Sequence, residues 1–179
     1  CHLFLARLST LPHVIWSLRL SKLDKSSKMD GDKMFPGKIL IIGATGNVGS
    51  EIVKLLRASS ASFQAAIRNH EDAQILGISI EQCVLFDFLD ALTHEQAFKG
   101  INAVFFMRPP NLANPQKEIR PAIVAAKKAG VDHIVFMSLL GVEKNYFVPH
   151  HEIGKIIVQS DIPYTFLRPS FFMQNLSTT

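Results

Sequence analysis

The sequence predicts an α/β fold in which a doubly wound parallel sheet lies between helices, three layers α/β/α. Three observations carry this. Short apolar runs alternate with longer amphipathic stretches from about residue 38 onward; the first run leads into a turn with three regularly spaced glycines; and 179 residues of 47% hydrophobic composition suffice for one core with little left for a second.

The first strand is residues 38–42, an unbroken apolar run after Lys38. It is followed by Gly43-Ala44-Thr45-Gly46-Asn47-Val48-Gly49 and by a helix over 48–56, where Val48, Ile52, Leu55 and Leu56 share one face of a 3.6-residue period. Further strands are predicted at 63–67, 83–86, 103–107, 133–138 and 164–168. Helices are predicted at 71–76, 91–99, 115–129 and 149–160, each closed by a glycine, a proline or a polar break. In such a sheet, ligands bind outside the carboxyl ends of the strands, so the residues that follow each apolar run are the candidates for function.

The glycine turn has the form of a phosphate cradle. Gly43 lets the chain leave the strand sharply, Gly46 lets the backbone approach a pyrophosphate, and Gly49 lets the helix pack close to the sheet. Free N–H groups and the helix dipole favour an anion there, the dipole by ~0.3–1 kcal/mol. About twenty residues on, where an acid would bind the ribose hydroxyls of NAD, stands Arg68. A guanidinium matches a 2′-phosphate, so NADP(H) is the expected cofactor; the adjacent Glu71 and Asp72 leave some use of NAD(H) open. A methyltransferase-like nucleotide binder fits less well, because its ribose calls for an acid where Arg68 stands.

After the third strand, Asp87 could accept from the adenine amino group while Asp90 caps the next helix. After the fourth, Met107-Arg108-Pro109-Pro110-Asn111 is stiff and extended, able to run beside the cofactor, with Arg108 either facing ligand or on the surface. The fifth delivers Ser138, and the helix beyond it carries His151 and Lys155. A serine hydroxyl can bind a carbonyl, a lysine can hold the nicotinamide ribose and lower a neighbouring pKa, and His151, four residues before Lys155, is the candidate acid or else a surface histidine. Tyr146 lies nine residues before Lys155, off that helical face by register.

Composition excludes other classes. The net charge of +4 belongs wholly to residues 1–28, where Arg7, Arg19, Lys22, Lys25 and Lys28 face only Asp24; the remainder is balanced, which argues against a nucleic-acid partner. No run reaches the ~18 apolar residues of a membrane span, so no membrane partner is expected. Cys1 and Cys83 offer no disulfide framework, and Cys83 reads as a small core residue. His70, His94 and His133 stand alone and His150-His151 are adjacent rather than one turn apart, so no metal site is expected. Residues 1–33 are read as a non-globular leader, with the basic, acid-poor composition of an organellar targeting segment or of sequence upstream of a start at Met29 or Met34. Residues 34–179 form the nucleotide-binding domain, expected in the cytoplasm unless the leader is a targeting signal.

The glycine turn, Arg68-Asn69, Ser138 and the closing Tyr164-Thr165-Phe166-Leu167-Arg168-Pro169 with Phe172-Met173-Gln174-Asn175 resemble the NmrA-like members of the atypical short-chain dehydrogenase/reductase superfamily. The likeness covers about residues 36–175. It implies a Rossmann fold and NADP(H), with either reduction of a small quinone, carbonyl or alkene-type substrate or a non-catalytic redox-sensing role toward a regulatory protein partner. By position it implies that Gly43, Thr45, Gly46, Asn47 and Val48 meet the pyrophosphate, Arg68 the 2′-phosphate, Asp87 the adenine and Lys155 the nicotinamide ribose. Two departures stand out. His151-x-x-x-Lys155 replaces the superfamily's Tyr-x-x-x-Lys pair, and the chain stops where family members continue into a C-terminal substrate-binding portion.

Overall fold

The computed structural model describes residues 37–169; the leader and the end of the closing motif, residues 170–175, lie outside the described residues. Six parallel strands form one sheet in the order β3-β2-β1-β4-β5-β6: β1 (Ile39–Ile41), β2 (Phe63–Ile67), β3 (Cys83–Leu85), β4 (Ala103–Met107), β5 (His133–Met137) and β6 (Tyr164–Leu167). The order reverses direction at β1, whose neighbours are β2 and β4. That reversal opens a crevice above β1 at the carboxyl edge of the sheet.

Strand side chains alternate between two cores, as a period of two requires. Leu40, Val104, Phe106, Ile134 and Phe136 pack on one face. There they meet α3 (His94–Phe98), α5 (Arg120–Lys128) and α6 (Pro149–Gln159) through Phe98, Ile123 and Ile157. Ile39, Ile41, Ala65, Ile67 and Phe105 point the other way, onto Val53 and Leu56 of α1 (Asn47–Ala58) and Leu76 of α2 (Glu71–Leu76). The distribution follows from right-handed crossovers: β1 to β3 step one way along the sheet, and the later strands step back past them.

The predicted helix over 115–129 is two helices, α4 (Pro115–Glu118) and α5, meeting at Ile119. Pro121 is the reason: it lacks an N–H, and its ring excludes the carbonyl of Lys117 from a continuous ladder. The stretch at 91–99 begins as a 3-10 turn at Ala91–Thr93 before α3, and Asp90 caps that turn by accepting from the Leu92 N–H at 3.0 Å. Cys83 is half-buried in β3, where burial and, less, the Asp72 carboxylate push its thiol pKa up, as suits a packing residue rather than a nucleophile.

His133 and His150 are both pushed down to about 4, chiefly by burial. His133 bridges β5 to β6 through a 3.0 Å hydrogen bond between Nε2 and Thr165 Oγ1. Because the folded state holds these rings neutral while the unfolded chain protonates them near pH 6.5, their contribution to stability is complete above that pH. It is lost as pH falls from about 6.5 through 4. Urea midpoints should therefore drop across that window, and His133→Gln should flatten part of the drop; an identical pH profile in the variant would refute the assignment.

Candidate functional site

The glycine turn emerges at the crevice. Gly43 has φ +84°, a left-handed backbone that a side chain would strain, and the Gly46 N–H closes the turn onto the Gly43 carbonyl at 3.1 Å. α1 begins with Gly46 as its N-cap, with no side-chain cap and no acidic residue in its first turn. Among the described residues no side chain caps the N–H groups of Asn47 and Val48, which stand at the positive end of a twelve-residue helix. A Cβ on Gly46 would lie 3.3 Å from the Gly43 carbonyl oxygen and 3.4 Å from the Met107 methyl, so the cradle is open only because residue 46 has none. Thr45 and Asn47 are exposed, while the Val48 side chain packs toward the α1 core and offers its backbone alone.

A cleft of about 350 Å³ runs from this turn across the carboxyl ends of β1 to β4, and Gly43, Thr45, Gly46, Arg68 and Asp87 all line it. Arg68 is exposed, and among the described residues no ion pair engages its guanidinium. The loop of Asp87 is pinned on three sides. Its N–H donates to Thr93 Oγ1 at 3.0 Å, its carbonyl lies 2.9 Å from Nε2 of the buried His94, and its Oδ1 accepts from Leu89 N–H at 2.9 Å. His94, stacked on Phe86 with ring centroids 5.4 Å apart, is a core residue that fixes this loop.

Arg108 lines the same cleft but turns its guanidinium into its own loop. Nη1 donates to the carbonyls of Pro109 at 3.0 Å, Pro110 at 3.1 Å and Leu112. It is a staple for the stiff wall rather than a free cation, holding three carbonyls of its own loop, of which that of Pro109 also accepts from the Leu112 N–H at 3.2 Å. Its Nε is buried without a hydrogen-bond partner among the described residues.

The remaining candidates gather in a second cleft of about 280 Å³, lined by Ser138, His151 and Lys155 among others. Ser138 is 3% exposed, its N–H donating to the Leu167 carbonyl at 2.8 Å. Lys155 is exposed on α6. His151 Nδ1–H donates to the Val142 carbonyl at 3.1 Å, and Nε2 is buried with no hydrogen-bond partner among the described residues. Tyr146, in the loop before α6, lays its ring against His151 with centroids 4.6 Å apart. Helical register set Tyr146 aside in the sequence; its position in a loop is what brings it back. His150 was legible only as a neighbour of His151, yet it too lines this cleft, stacked on Phe136, and the Arg108 cation reinforces burial in holding it neutral. No group of three His, Cys, Asp or Glu side chains able to hold a metal ion occurs among the described residues. None of the described helices is long and apolar enough to cross a membrane.

The sequence profile of the NAD(P)H-binding family matches residues 43–179. The chain belongs to that family. Its NmrA-like resemblance agrees with this, and the uncapped turn and open cradle fit an NAD(P)H pyrophosphate. An NAD(P)H azoreductase of Xenophilus azovorans is 34% identical over 146 residues, 77% of this chain and 49% of that protein. Among solved structures, a triphenylmethane reductase of Citrobacter sp. complexed with NADP(H) superposes with a TM-score of 0.68 at 26% identity, covering 78% of this chain and 51% of that one. The NADPH-dependent quinone oxidoreductase of Escherichia coli complexed with NADPH gives 0.69 at 29% identity, covering 78% and 52%. The chain thus spans about half the length of the relatives it matches.

Proposed function

We propose that the chain is the cofactor-holding part of an NADPH-dependent oxidoreductase that acts on a small quinone, carbonyl or alkene-type electrophile. The observation that carries this reading is the uncapped start of α1, opening onto a cleft that has the free Arg68 guanidinium at its side. When bound, the nicotinamide supplies a hydride from C4. The N–H groups of Asn47 and Val48, with Gly43, Gly46 and the Thr45 hydroxyl, would hold the pyrophosphate; Arg68 would hold the 2′-phosphate and Asp87 the adenine. Lys155 would hold the nicotinamide ribose, and Ser138 would orient the oxygen of the electrophile.

Proton delivery is the step for which this chain departs from a tyrosine-based site. The His151 imidazole can pass a proton through Nε2, but that atom is covered and Nδ1 is tied to the Val142 carbonyl, so it would meet a substrate only after a local rearrangement around it. The same covering favours a second reading, a redox sensor that binds NADP(H) without turning it over and alters its hold on a protein partner.

Stopped-flow mixing of the NADPH-loaded protein with a quinone panel separates the two. Loss of reduced-nicotinamide absorbance faster than for free NADPH supports the reductase; tight binding with no oxidation supports the sensor.

A further inference from the structure

The second cleft holds two adjacent histidines whose rings are differently employed. His151 is tied through Nδ1 to the Val142 carbonyl and its Nε2 is buried, whereas His150 makes no hydrogen bond through either ring nitrogen among the described residues. Nor are the His150 nitrogens sealed off: the buried, unpartnered polar side-chain atoms among the described residues are Arg108 Nε and His151 Nε2. His94 and His133, by contrast, spend Nε2 on the Asp87 carbonyl and on Thr165 Oγ1. The His150 ring is nonetheless held in place. It stacks on Phe136 with centroids 5.9 Å apart and planes 25° from parallel, and Phe136 stacks in turn on Phe106 at 4.9 Å and 26°. Both phenylalanines are buried side chains of β5 and β4, so the sheet itself orients the imidazole at the second residue of α6. Ser138, one residue beyond β5, lines the same cleft. The Arg108 cation, from the wall of the first cleft, acts on His150, which sets the ring where the two clefts approach each other. Burial and, less, that cation lower its pKa to about 4, so at neutral pH one nitrogen carries a proton and the other accepts.

We propose that His150 is a catalytic hydrogen-bond donor: its ring N–H, together with the Ser138 hydroxyl, receives the oxygen of the electrophile, which makes the substrate a quinone or a carbonyl compound rather than an alkene. The inference rests on the reading of the chain as a reductase, with reduced nicotinamide as the reductant. As the electrophile gains hydride, the π pair of its C=O bond moves to oxygen, and the bond from the ring strengthens as that charge develops. A neutral imidazole suits this role, because it offers an N–H without first having to be charged in a half-buried site. The proton that completes the hydroxyl is relayed: the ring gives one up at the nitrogen facing the substrate while its other nitrogen takes one from water, leaving hydroxide to the bulk buffer. His151, with one nitrogen tied and the other covered, has no such pair of open positions.

The test pairs a rate with a spectrum. Stopped-flow oxidation of NADPH by a quinone should slow about 100-fold in His150→Phe, which keeps the ring stack and loses the donor. In His150→Gln, which keeps an N–H, it should slow no more than about tenfold, and both variants should bind NADPH within about threefold of the parent. A His150→Phe protein that melts like the parent and oxidises NADPH within about threefold of its rate overturns the proposal and leaves the reductase reading standing. A parent that oxidises no NADPH overturns that reading, and the proposal with it. In the parent, a hydroquinone added to the NADP+ complex as the product should shift the imidazole 15N resonances of His150 more than those of His151. Resonances of His150 that stay in place overturn the proposal even where the variants fail to fold.

Discussion

Alanine at Gly49 is expected to lower the melting temperature by about 10 °C and to abolish NADPH binding together with the fold of the turn. A Cβ there would lie 2.0 Å from the Gly43 carbonyl oxygen, 2.7 Å from its carbon and 2.8 Å from the Ala44 Cα. All three are backbone atoms of the turn that defines the cradle, so relief requires β1 and α1 to separate, at a cost of about 3 kcal/mol or more. Gly46→Ala serves as the contrast. Its Cβ would press only at 3.3–3.4 Å, partly against the flexible Met107 methyl. Melting should stay within a few degrees of the parent while NADPH affinity falls, because the added methyl stands in the phosphate's path. Differential scanning fluorimetry with and without NADPH reads both, and a Gly49→Ala protein that melts like the parent would sink the close-packing argument.

Arg68→Ala is expected to raise the Kd for NADPH by about 10–100-fold and to leave that for NADH within about threefold, which reverses the preference between them. The range corresponds to one or two hydrogen bonds between charged partners, each ~1.5–3 kcal/mol before the cost of exposure is subtracted. Arg68 is exposed and among the described residues its guanidinium makes no ion pair, so the melting temperature should not move. Calorimetric titration is the measurement, and parallel losses for the two cofactors would show that Arg68 does not meet the 2′-phosphate.

Much of the architecture was legible in the sequence because each strand is a short apolar run bounded by turn residues, and because the glycine turn fixes both the first strand's end and the first helix's start. The break at Ile119 required weighing Pro121 against an otherwise regular amphipathic pattern. The candidate site was legible where function follows from strand ends, as for Gly43, Arg68 and Asp87, which all line one cleft. It was less legible where side chains from neighbouring turns compete. His150 and His151 are adjacent in sequence, yet one stacks on Phe136 and the other is tied to the Val142 carbonyl. Arg108 spends its donors on its own loop, a geometry that residue type alone does not announce. Asp72 reads in sequence, with Glu71, only as an acid that leaves some use of NAD(H) open; its bonds back to the Arg68 and Asn69 N–H groups show how it is held in the wall of the cleft.

The two cores that flank the sheet are unequal. Among the described residues, twenty-two buried side chains form the cluster beneath α3, α5 and α6, and twelve form the one beneath α1 and α2. Amide hydrogen exchange should therefore be fastest in the thinner layer, where less apolar surface resists local opening. That layer carries the helix at whose start the glycine turn lies. A dinucleotide bound there clamps the part of the molecule most ready to open, and at a hundred times its Kd it adds ~2.7 kcal/mol to the folded state. Resistance to a protease is therefore expected to rise when NADPH is added, read as the lifetime of the intact chain with and without the dinucleotide.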